Sequence, residues 1–152
     1  MSHPQAGQRP LPYDQRRYDQ LVQWAVSVLL EVAPAGWHRI DLRVAMTAES
    51  ADAALAAVAP DGSVRDVPVP PGLLQAAAEV RAMMYRPGEG TWFGTRLTVD
   101  RPGTYRIVFN PRFEPGWAAP APDGAYAADL AAFPRDDAHL PGWLRERAGA
   151  RG

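Results

Sequence analysis

Cysteine is absent from the 152 residues of this chain, which excludes a disulfide framework, a thiolate zinc site and a cysteine nucleophile. Its absence fits a cytoplasmic protein. Lysine is absent as well: all 16 basic residues are arginine, a bias that a GC-rich coding background explains at least as well as a need for guanidinium chemistry. Neither sign of charge dominates, since 16 basic and 17 acidic residues leave a net charge of −1. No global field therefore draws in nucleic acid or an anionic membrane. No run approaches the roughly 18 apolar residues of a membrane span, and residues 1–15 lack the basic start and apolar core of a signal peptide.

What is present is ordinary globular composition, 47% hydrophobic and 22% charged, in a length that suits one core. Residues 1–12 are rich in Pro and Gln without periodicity and read as a flexible leader, residues 13–147 as one domain, and residues 148–152 as a flexible tail. Within the domain, Tyr18, Leu21, Val22, Ala25, Val28, Leu29 and Val32 recur at helical spacing, which predicts a helix over residues 13–32 ended by Pro34 and Gly36. Strict alternation predicts a strand over residues 37–46, with Ile40, Leu42, Val44 and Met46 inward and Arg39, Asp41 and Arg43 outward. Strands at 51–59 and 64–69 flank the turn Pro60-Asp61-Gly62-Ser63. Pro70 and Pro71 open a second helix with Leu73, Ala77, Val80 and Met84 as its stripe. A hairpin of strands 91–99 and 104–110 follows, with Phe93, Leu97 and Val99 facing in beside Tyr105, Ile107 and Phe109. Short helices at 125–133 and 141–147 close the chain. The order predicts an α+β fold: an antiparallel sheet with helices packed on one face and an irregular, partly helical C-terminal region.

Candidate chemistry is sparse. The glycines of Gly88-Glu89-Gly90-Thr91-Trp92-Phe93-Gly94 enter a strand rather than open a helix, so they read as a turn and not as a phosphate cradle. His3, His38 and His139 have no helical pairing with a second ligand, and Asp136-Asp137-Ala138-His139 reads as a solvated loop rather than a cation site. Ser2, Ser27, Ser50 and Ser63 lie outside any nucleophile motif. Glu49, Glu79, Glu89 and Glu114 could meet in space as paired carboxylates, but nothing favours that over solvated surface. Arg39, Arg43, Arg96 and Arg106 share the outer sheet face, where Asp41, Asp52 and Asp66 are available as partners. These readings imply no enzyme, no cofactor and no metal.

A helix before Gly36-Trp37, the strand at 38–46, Met84-Tyr85-Arg86, Gly90-Thr91-Trp92-Phe93 and the Tyr105 to Phe109 strand together resemble the YezG-like immunity family of bacteria, over most of residues 13–147. Phe133-Pro134-Arg135 and Pro141-Gly142-Trp143-Leu144 resemble its actinobacterial members, which are associated with polymorphic toxin loci, including toxins that degrade NAD. The resemblance implies an α+β protein that neutralises a cognate toxin by binding it, with no catalytic residues to carry over. The chain departs from the family at Asn110-Pro111-Arg112-Phe113-Glu114-Pro115, where an acidic stretch is expected. A runner-up function is an accessory or regulatory module that binds a protein without inhibiting it.

Antiparallel pairing of the last hairpin brings the loops at 86–92 and 110–117 to one end of the sheet. Arg86, Glu89, Trp92, Arg112, Glu114 and Trp117 are therefore the expected partner-binding residues, arginine and tryptophan being frequent interface anchors. The alternative is that the C-terminal helices fold back over Trp92 and Trp117 and bury them.

Overall fold

A computed structural model describes residues 8–117 and 120–149. Residues 1–7 of the leader expected at 1–12 and residues 150–152 of the tail expected at 148–152 lie outside these residues. Asp14 caps the first helix, α1 (Gln15–Val32), by accepting from the Arg17 N–H. Leu21, Val22, Val26 and Leu29 form its buried stripe. Residues 8–12, expected to be loose, run along the second helix, and the Leu11 N–H donates to the Ala82 carbonyl at 3.1 Å.

Five strands follow the alternation of the sequence: β1 (Arg39–Met46), β2 (Ala51–Val58), β3 (Val64–Val67), β4 (Gly94–Asp100) and β5 (Thr104–Asn110). They form one antiparallel sheet in the order β3-β2-β1-β4-β5, so the strand with the cleanest alternation is central. Leu42 sits opposite Leu55 on one side and Leu97 on the other, and Ile40 opposite Ala57 and Val99. That inner face is covered by α1 and by α2 (Leu73–Met83), making one core. Tyr105, expected inside, is 42% exposed, because β5 is an edge strand at the margin of the helical cover. The fold is α+β, as the order of elements predicts.

The outer face carries Arg39, Asp41, Arg43, Arg96 and Thr98. Asp41 joins them, accepting from Arg96 Nε at 2.8 Å, Thr98 Oγ1 at 3.0 Å and Arg43 Nε at 3.4 Å, while Arg39 pairs with Asp100 at 2.6 Å. These arginines are tied into the sheet by their neighbours rather than held out for a partner.

The C-terminal helices α3 (Ala125–Ala132) and α4 (Gly142–Gly149) pack together at the end of the sheet where β1 finishes and β4 begins. Two contacts dock them. Phe93, Tyr126 and Leu144 form a small core of their own, with Trp143 set edge-on to both Phe93 and Tyr126. Beside it, Arg81 of α2 makes a two-pronged ion pair with Asp129 of α3 at 2.7 and 2.9 Å, both side chains being buried. Arg81 also donates to the Trp92 carbonyl, Asp129 accepts from the Ala48 N–H, and Phe93 and Phe133 lie 5.4 and 5.0 Å from the guanidinium carbon.

Candidate functional site

The loop between α2 and β4 closes on itself: Arg86 and Gly90 exchange backbone hydrogen bonds at 3.0 Å in both directions. This is the turn predicted for the glycine run. Gly90 has a φ of +98°, and a Cβ there would fall 2.3 Å from Arg135 Nε, so glycine is required both by the backbone and by the close approach of that side chain.

The loop after β5 is shaped by Asn110. Its side-chain oxygen accepts from the Arg112 and Phe113 N–H groups at 3.1 and 2.8 Å, and its amide donates to the Phe113 carbonyl at 2.9 Å. Trp143 Nε1 adds a bond to the Arg112 carbonyl at 2.7 Å. The loop is held from within and from α4, yet it presents Phe113 68% exposed.

Arg135 stitches the two loops together. Its guanidinium donates to the carbonyls of Thr91 at 2.7 Å, Pro111 at 2.8 Å and His139 at 3.0 Å, and it stacks 4.9 Å from the centre of Phe93. Burial pulls its pKa below the ordinary arginine range, against an opposing pull from Asp129. The result is a cleft of about 650 Å³ whose polar lining includes Arg86, Glu89, Arg112, Arg135 and His139, over apolar walls from Met84, Phe109 and Leu140. His139 Nδ1 lies 2.8 Å from Asp136 Oδ1, and this contact, foremost, lowers the Asp136 pKa. Thr91 supplies the cleft's one hydroxyl among the described lining residues, and it donates to the Arg81 carbonyl at 2.7 Å.

No family model matches the chain, and no curated protein matches its sequence. The likeness to the YezG-like immunity family therefore rests on the residues quoted for it.

Four of the six expected residues, Arg86, Glu89, Trp92 and Arg112, line this cleft. Trp92 does so from the inside, which corrects the expectation that it faces away from the core: it is 2% exposed and packs on Phe109, and its indole N–H has no partner among the described residues. The side chains exchange faces because regular alternation starts only at Gly94, so Phe93, expected inward, lies instead against Tyr126 and Leu144. Glu114 and Trp117 do not line the cleft. Past Pro111 the chain turns back across the outer sheet face, where Glu114 pairs with Arg147 at 2.9 Å and half-buried Trp117 donates to the Tyr126 hydroxyl at 2.9 Å.

Size alone does not single out this cleft. A hollow of about 810 Å³ between the β1–β2 turn and the start of α2 is larger, but Glu49 is its one charged lining residue. A third, of about 690 Å³, lies on the outer face among the paired Arg43 and Arg96. Arg135, His139 and Phe113 were missed as site residues. Phe133-Pro134-Arg135 belonged to the family resemblance, but no local pattern marks Arg135 as a residue that reaches two distant loops.

Proposed function

We propose that this protein is a non-catalytic binding protein of the immunity type, which neutralises a cognate bacterial toxin by docking it on the cleft between the loops at 86–92 and 110–113. The observation that carries the reading is Phe113, a large apolar side chain held in solvent by a hydrogen-bonded loop, next in the chain to a cleft-lining arginine. An ordered loop loses little freedom on association, and an arginine beside an exposed aromatic ring is the usual chemistry of an interface anchor. The cleft's chemistry also favours binding over turnover. Guanidinium groups keep their proton at any physiological pH and cannot act as bases, and the one hydroxyl in the described lining is buried and engaged with the Arg81 carbonyl, which leaves Glu89 and His139 with no side-chain hydroxyl to activate among the described lining residues.

The experiment is co-expression with the product of the adjacent gene in cells that this product kills or arrests. The wild-type chain is expected to restore growth and to co-purify with it, whereas Phe113→Ser, checked for folding by circular dichroism, loses both. Co-purification without protection would support the accessory-module reading instead. A wild-type chain that gives no protection and does not co-purify would overturn the proposal.

A further inference from the structure

The arginines of the cleft differ from those of the central strands β1 and β4 in having no ion-pair partner among the described residues, a trait they share with Arg65 and Arg106 on the flanking strands, but they are gathered into one recess. Arg39, Arg43 and Arg96 are each ion-paired on the outer face, and Arg17, Arg81 and Arg147 are paired elsewhere. Among the described residues, Arg86, Arg112 and Arg135 take part in no ion pair, and all three line the same cleft. Glu89 is the single carboxylate against them. The imbalance extends inward: Phe93 is flanked by the guanidiniums of Arg81 and Arg135, while Asp129 is committed to Arg81 by both of its oxygens. Three carbonyls satisfy hydrogen bonds of Arg135, but no carboxylate among the described residues pairs with it, and the pull of Asp129, already bound to Arg81, does not outweigh the cost of its burial.

We infer that the cleft receives an acidic segment of a partner protein, with one carboxylate neutralising Arg135 and its neighbours reaching Arg86 and Arg112, an inference that rests on the protein-binding reading above. A carboxylate supplied by the partner provides the missing ion-pair partner and takes up guanidinium donors in the geometry they favour. A protein segment fits better than a free small anion, because the walls are apolar, with Met84, Phe109, Leu140 and Pro141, and Phe113 stands on the loop that ends them. The cleft thus asks for alternating acidic and hydrophobic side chains.

The test is a titration of the isotope-labelled full chain, followed by backbone amide shifts, with a short synthetic peptide of glutamate, leucine and phenylalanine. Its counterpart with glutamine in place of every glutamate, and inorganic phosphate alone, are the comparison probes. Saturable shifts are expected at residues 86–92, 111–113 and 135–140, weakening with salt. The glutamine peptide, and the exposed-site variant Arg86→Glu/Arg112→Glu, are each expected to weaken binding by about tenfold or more. No saturation, equal binding of the glutamine peptide, an unaffected folded variant, or phosphate saturating the same amides as readily as the peptide would each overturn the inference. Any of these alongside protection in the co-expression experiment would remove the acidic specificity and leave the binding reading standing.

Discussion

Arg81 and Asp129 are both buried, and their paired hydrogen bonds hold α3 to α2 while Asp129 also satisfies the Ala48 N–H. Removing one partner of such a pair strands a charge in the interior, which costs about 3–5 kcal/mol, whereas replacing both by apolar residues of similar volume costs far less. Asp129→Asn is therefore expected to lower stability by about that amount in urea unfolding, and Arg81→Met/Asp129→Leu to recover much of it. An Asp129→Asn midpoint equal to wild type would contradict this account. Asp41 yields a second residue-scale expectation. Burial pushes its carboxyl up, but hydrogen bonds from Arg96 and Thr98 and the charges of Arg96 and Arg43 outweigh that and hold it below the usual range. The unfolded carboxyl takes up its proton first as pH falls, so the stabilisation is complete above about pH 4 and is lost as pH drops through the folded value. The stability gap between wild type and Asp41→Asn should accordingly be widest at neutral pH and shrink in acid; a gap constant with pH would argue against it. A trace of the buried pair was visible in the sequence, because Arg81 and Asp129 are lone charges of opposite sign in apolar runs, Val80-Arg81-Ala82-Met83 and Ala127-Ala128-Asp129-Leu130. Their pairing was not, since it joins positions 48 residues apart through the tertiary fold alone.

At the scale of elements, α3 and α4 are eight residues each, too short to persist as isolated helices. They depend on Phe93, Tyr126 and fully buried Leu144. Truncating Leu144→Ala removes this docking contact at a cost of about 2–5 kcal/mol. Hydrogen exchange should then speed up across residues 125–149 while β1 and β4 stay protected, because the main core does not include Leu144. Uniform loss of protection over the whole sheet would show instead that the helices and the sheet form one cooperative unit. Strands and helices were legible wherever periodicity ran uninterrupted: the strand read at 104–110 coincides with β5 (Thr104–Asn110), and the helix read at 13–32 with α1 (Gln15–Val32) to within its first turn. The reading failed at residues 91–93, where alternation was extended back through a segment still leaving the Arg86–Gly90 turn. That slip turned Phe93 toward the main core and Trp92 away from it, whereas Trp92 joins the main core and Phe93, equally buried, joins the small core under α3 and α4.

For the molecule as a whole, antiparallel pairing sufficed to bring the loops at 86–92 and 110–113 to one place, and the cleft lies there. What the sequence did not reveal is the third wall, where Arg135 and His139 arrive from a region of weak periodicity and turn two adjacent loops into a braced recess. Glu114 and Trp117, the two expected residues that do not line the cleft, are committed instead to Arg147 and Tyr126. The central claim, that this recess is the protein-binding surface, is tested most directly by calorimetric titration of the purified full chain with the purified product of the adjacent gene, repeated with Arg112→Glu. Arg112 lies on the exposed side of its loop and its side chain makes no ion pair among the described residues, so the variant is expected to fold as wild type does. The account predicts saturable binding by wild type, weakened by about tenfold or more in the variant. Equal affinity of wild type and a folded Arg112→Glu chain would contradict it.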